Sequence, residues 1–186
     1  VKMEIYHTLR PTGINTRDDW YSGWPNLADD CYKNVNEATK SETDYNYNSD
    51  TAYGFNQTQS VLYTLGTYSG GDAISRITLN GYYRVVNIGG VSGAQARFRI
   101  KTGGTIYEDS FFNPDSAFTL HTKVYTTNPK TGNPWSADEV NALAAGDSLQ
   151  SIYTSALNYS RSYCCQFWVT VVEAAVESGG NFFLVM

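Results

Sequence analysis

The sequence predicts an all-β fold: a single jelly-roll-like antiparallel β-sandwich with one short helix at about residues 136–145 and extended terminal strands. Three observations lead there. The 186 residues include 15 Tyr, 8 Phe, 4 Trp and 16 Gly, whereas Lys and Glu are sparse, the profile of a β-rich surface domain. Runs of β-formers recur between Gly-, Asn- and Asp-rich breaks, giving about nine or ten strands. One segment alone carries helix punctuation.

In chain order, "KMEIYHTLR" alternates, with Met3 and Ile5 on one side and Glu4 and Tyr6 on the other, so it reads as a strand. "PTGINTRDDWYSGWPNLADD" is expected to be irregular, because Pro, Gly, Asn and Asp interrupt any period. "CYKNVNEA" reads as a short strand, and "TDYNYNSDT" as a polar strand or ligand loop with tyrosine at alternate positions. "QSVLYTLGTY" is apolar strand followed by the turn "SGGD". The long run "ISRITLNGYYRVVNI" carries Gly81, a place for a bulge or bend. "AQARFRIK" alternates apolar with charged or amide side chains, and "TGGT" turns it into "IYEDSFF", a hairpin over residues 94–112. "AFTLHTKVYTT" is a further strand.

The helix signal lies in "NPWSADEVNALAAG". Ser136 as N-cap with Glu139 three residues on makes a capping box, Trp135 and Val140 make a hydrophobic staple, and Gly146 is the natural stop. "SLQSIYT" and "YCCQFWVTVVEAA" return to strand.

The stretch "TTNPKTGNPWSADEVNALAAGDSLQ", followed by "CQFWVTVV", resembles the closing half of a β-sandwich family found in phage, archaeal and environmental sequences. That family runs a strand into N-P-x-T-G-x-x-W, a short helix, and a final alternating strand of the Q-V-Y-V type. "TLRPTG" and "IKTGGTIYEDSF" are also similar to it, so the likeness spans residues 8–172. It implies a jelly-roll-like module displayed on virions or cell surfaces, with no catalytic residues to carry over. The departures are "VKMEI" at the start and "AAVESGGNFFLVM" at the end.

The net charge of −5 and the lack of a basic cluster argue against nucleic acid as a partner. No apolar run reaches the roughly 18 residues that a membrane span needs. Catalysis is not expected: His7 and His121 lie on strands without a motif, and no G-x-S-x-G, Walker loop or H-E-x-x-H occurs. Cys31, Cys164 and Cys165 fit no zinc spacing. Two readings stand for them: buried thiols, or a disulfide from Cys31 to Cys164 or Cys165. Strand parity puts Cys165 on the face of Phe167, Val169 and Val171, and Cys164 on that of Gln166 and Trp168.

Asp44, Asn46, Asn48 and Asp50 alternate in "DYNYNSD", a donor set suited to calcium, although Ser49 and Phe55 stand where an EF-hand needs Gly and Glu. No other cofactor is expected. Trp20, Tyr21 and Trp24 in "DDWYSGWPN" could stack on sugar rings or plug the end of the sandwich. Asn56 ("NQT") and Asn158 ("NYS") are N-glycosylation acceptors by pattern.

The final stretch divides the chain into a sandwich, residues 1–174, in which residues 1–7 are a candidate extension strand, and a tethered apolar strand, residues 175–186. "SGG" is a flexible tether. Burying Phe182, Phe183, Leu184 and Val185 would contribute about 6–10 kcal/mol before ordering costs; Met186 completes the strand. Such a strand has two homes: it can fold back onto its own domain, or add to the sheet of a neighbouring copy, as in donor-strand complementation; the neighbour is the favoured reading. The sequence thus predicts a structural subunit that polymerises with itself outside the cell, on a cell surface or on a virion. The alternative is a module for carbohydrate binding or adhesion to surface glycans.

Overall fold

In a computed structural model the chain is described at residues 4–17, 33, 35–47, 56–71, 73–155 and 157–174. The elements are β1 (Ile5–Leu9), β2 (Pro11–Arg17), β3 (Asn46–Tyr47), β4 (Asn56–Leu65), β5 (Ile74–Ile88), β6 (Ala96–Thr102), β7 (Thr105–Glu108), β8 (Thr119–Tyr125), α1 (Ala137–Asn141), β9 (Ala144–Ser155) and β10 (Asn158–Glu173). All pairings are antiparallel, and the ten strands form one hydrogen-bonded network.

That network folds over itself into a sandwich through the β9–β10 hairpin. One sheet runs β2-β4-β9-β6-β7; the other runs from β10 through β5 to β8, with β1 and β3 on the far edge of β10. The hairpin belongs to both. Residues 144–149 of β9 pair with β6, and residues 151–155 pair with β10. At the change of partner, the amide of Gln150 donates to the Gln95 carbonyl at 2.9 Å and to Ser162 Oγ at 3.0 Å. A buried serine thus covers for a missing strand partner.

The core lies between the sheets. Val61, Tyr63, Phe98, Ile100, Ala145 and Leu149 meet Ile77, Leu79, Tyr83, Phe167, Val169 and Val171, all 1% exposed or less. Tyr63 and Phe98 pack on Phe167 with ring centroids 5.4 and 6.3 Å apart. The predicted capping box forms: Ser136 Oγ accepts from the Glu139 amide at 3.2 Å, and the Ser136 amide donates to Glu139 Oε2 at 3.1 Å. Trp135 and Val140 are both buried, and Trp135 Nε1 donates to the Tyr125 carbonyl at 3.2 Å. The N-P-x-T-G loop before the helix is held by Asn128. Its carbonyl accepts from the Gly132 amide at 2.8 Å, and its side chain bridges the Lys130 amide and Thr102 Oγ1. Gly132 has φ +73, the left-handed backbone that glycine tolerates.

Several expectations are corrected. The helix is shorter than 136–145, and Gly146 does not stop it. Gly146 lies inside β9, where a Cβ would sit 2.1 Å from the Val61 carbonyl oxygen; glycine is there for close strand packing. Residues 11–17 are not irregular but form β2, paired to β4 with two register shifts, so the Pro and Gly residues sit on an edge strand that bulges absorb. The described residues 33 and 35–38 lie in no strand: residues 33, 35 and 38 are in turns or bends, and residues 36–37 have no regular structure. Gly81 carries no bulge. It pairs in register with Phe167 and His121, and a Cβ there would lie 2.4 Å from the Tyr83 ring. Ile5, Tyr6 and His7 of the candidate extension strand pair with Glu173, Val172 and Val171 of the same chain.

Candidate functional site

The bulge is on the partner strand, and it decides which face each β10 side chain takes. Cys164 pairs with Tyr83 and Gln166 with Tyr82, leaving Cys165 as the extra residue. Parity therefore reverses at that point. Cys164 joins the main core with Phe167, whereas Cys165 packs with Phe118 and Tyr163 in a second cluster on the outer side. This overturns the face assignment made from uninterrupted alternation. Both are free thiols, fully buried as residues, and burial pushes both up, Cys165 to about 12. Cys31 lies outside the described residues.

Because of the bulge, Tyr163 and Arg161 share the outer face with Gln166 and Trp168. The Arg84 guanidinium lies 4.6 Å from the Phe118 ring centre and 5.2 Å from that of Tyr163; Arg161 lies 4.6 Å from Tyr47 and 4.8 Å from Tyr159. These cation–π layers roof the outer face near the hairpin. Beyond the bulge, residues 35–38 cover the edge of β10. The Phe167 amide donates to the Val35 carbonyl at 2.8 Å, and Gln166 Nε2 donates to the Glu37 carbonyl at 2.6 Å.

At the opposite edge of this sheet, β8 pairs with β5 alone among the described residues. Its polarity is inverted. The side chains turned toward the protein are Thr119, His121, Lys123 and Tyr125, all half-buried. His121 stacks on Phe112 at 4.2 Å, its basicity lowered by burial, and Lys123 Nζ donates to Asp109 Oδ1 at 2.8 Å. The side chains turned outward include Leu120 and Val124, each 48% exposed. Across the ladder Leu120 neighbours Tyr82, and Val124 neighbours Thr78. An edge strand that shows backbone donors and acceptors beside exposed aliphatic side chains is a template for strand addition. The sequence carried this signal in "TLHTKVY": the aliphatic residues lie on the phase opposite His121 and Lys123, but only the packing of residues 109–118 shows which phase faces in.

The core also holds one buried acid. Asp147 is 0% exposed, accepts from the Tyr83 hydroxyl at 3.1 Å, and is pushed up to about 6 by burial, against the hydrogen bonds from Cys164 and Tyr83. His7 contacts Glu173 at 3.0 Å, and Glu173 also accepts from the Tyr68 hydroxyl and the Gly71 amide, tying the 66–71 loop to β10.

Of the residues proposed as ligands, Asp44 is exposed in a turn and bonded to Ser41, while Asn46 is 0% exposed and donates to the Tyr63 hydroxyl at 3.1 Å. Asn48 and Asp50 lie outside the described residues, among which no cluster of three or more His, Cys, Asp or Glu could hold a metal. Trp20, Tyr21 and Trp24, and the tail residues Phe182, Phe183, Leu184, Val185 and Met186, also lie outside them. Asn56 pairs through its backbone with Ile152. Asn158 is half-buried, with its side-chain oxygen against Gly89. Among the described residues no helix is long and apolar enough to cross a membrane. No known protein family matches the chain, and no curated protein matches it.

Proposed function

We propose that this chain is a structural subunit that assembles with copies of itself into an extracellular filament, sheath or virion surface. In this reading the apolar strand at residues 181–186 of one copy adds to β8 of the next. The observation that carries it is the inversion of β8: the strand points Leu120 and Val124 away from its own core while its outer backbone edge lacks a strand partner among the described residues. β8 is seven residues long, a length that a six-residue donor matches. Alternate side chains of the donor would lie beside Leu120 and Val124, and its backbone would complete the ladder. The resemblance of "NPKTGNPW" and its flanks to surface modules supports the same reading.

Negative-stain microscopy and size-exclusion chromatography of the full chain test it. Polymers are expected, and a variant lacking residues 179–186 should give folded monomers. Assembly that is unchanged by the deletion would refute exchange through this end. The sequence-based alternative, glycan binding by Trp20, Tyr21 and Trp24, rests on residues outside those described.

A further inference from the structure

The outer face of the β10–β5–β8 sheet carries a second feature, centred on β10 and reaching Tyr82 of β5. An open cleft of about 400 Å³ lies between β1, residues 38–40 and the strands β5 and β10, within the size range of small-ligand sites. Tyr82 and Trp168 provide its rings, 5.9 Å apart and tilted by 36°. Both project outward from neighbouring same-face rows of the ladder, where Gln166 pairs with Tyr82 and Trp168 with Asn80, and Tyr82 also packs against the cluster of Phe118, Tyr163 and Cys165. Around the rings stand Thr8, Thr39, Lys40 and Gln166. Lys40 Nζ lies 5.2 Å from the Tyr82 ring centre and 2.6 Å from Glu42. Arg10 braces the wall by donating to the carbonyls of Glu37 and Ala38.

We propose that this cleft binds a pyranose unit of a glycan, with Trp168 and Tyr82 as the stacking surface. A sugar ring offers one apolar face of C–H groups and a rim of hydroxyls. The cleft has the matching arrangement, half-buried rings for the apolar face and two hydroxyls, an amide and an ammonium for the rim. Lys40 keeps donors beyond its pairing with Glu42, and Gln166 keeps its side-chain carbonyl beyond its bond to Glu37, so a ligand with hydroxyls uses groups that a purely apolar one would not. Tyr82 stands beside Leu120 of β8 across the ladder, but no β8 residue lines the cleft, and none of the side chains invoked for assembly takes part in it.

The test is a glycan array probed with the full-length protein, followed by tryptophan-fluorescence titration of the same protein with maltohexaose, cellohexaose, chitohexaose and an oligogalacturonate. Saturable binding to at least one saccharide is expected. Trp168→Ala should weaken it by about tenfold or more, the loss of one good ring contact, and Tyr82→Ala should weaken it too. Trp168 is half-buried on the outer face, so the variant should keep the parent circular dichroism; if it does not, Trp168→Phe and Tyr82→Ala carry the test. Absence of binding across array and titrations would overturn the proposal. So would binding that survives both cleft substitutions, since the sugar would then sit elsewhere. Binding that persists when residues 179–186 are removed would separate this site from the assembly reading.

Discussion

The Tyr83 hydroxyl donates to Asp147 Oδ2 across 3.1 Å in the middle of the sandwich core, joining the two sheets through a buried acid. Burial raises that carboxyl from 3.8 to about 6. The folded state therefore holds the proton more tightly than the unfolded chain does. The group's favourable contribution is whole below about 3.8 and is lost as pH rises through about 6. A shift of this size corresponds to about 3 kcal/mol. Asp147→Asn keeps an acceptor for Tyr83 and cannot ionise. Relative to the parent, the variant should gain up to about 3 kcal/mol between about pH 4 and about pH 8, read from urea unfolding at the two pH values.

Gly146→Ala should be among the most destabilising single-methyl additions. The new carbon would lie 2.1 Å from the Val61 carbonyl oxygen and 2.9 Å from its carbon, and backbone cannot move aside as a side-chain tip can. A loss of about 3 kcal/mol or more is expected, seen as a lower urea midpoint or as insoluble expression.

Cys164 and Cys165 should resist alkylation in the native protein. Both are buried, and burial holds both thiols far above neutral pH, so the reactive thiolate is scarce. Iodoacetamide at neutral pH should leave the peptide containing them unmodified until denaturant is added, as judged by mass spectrometry.

Leu120→Lys and Val124→Lys place a charge on the exposed face of an edge strand. Neither side chain packs in the core, so monomer stability should change by only about 0.5 kcal/mol. Assembly through β8 should fall sharply, because a charged edge disfavours strand addition. Sedimentation velocity distinguishes the effects: a fully polymeric double variant would rule out β8 as the acceptor.

Ser136→Ala removes the side-chain acceptor for the Glu139 amide and half of the capping box. The expected cost is about 1 kcal/mol. Ser136→Asp, which keeps an acceptor at the helix start, should restore most of it.

The local rules carried far in this chain. Alternation and β-forming composition were enough for the β5 run, the β6–β7 hairpin and the final strand. The Ser136 to Glu139 spacing located the helix start, because a capping box is a contact between near neighbours. The edge strand was legible as a strand, and its inverted polarity was visible in "TLHTKVY". The ring contact between Tyr82 and Trp168 was not legible, because the two lie on different strands and meet only through the ladder register.

Sequence alone thus determined the all-β class, the single helix and its cap, and the turn glycines, since each depends on residues a few positions apart. Tertiary structure alone decided where the bulge falls, and with it that Cys164 faces the core and Cys165 the outer cluster. A strand's period of two is local, but its phase depends on how many residues each partner strand contributes to the ladder. One extra residue at Cys165 reverses every side chain before it, and nothing in "YCCQFW" marks that position. Gly146 was misread for the same reason: glycine ends helices and also lets backbones touch, and only the neighbouring β4 strand shows which role it has here.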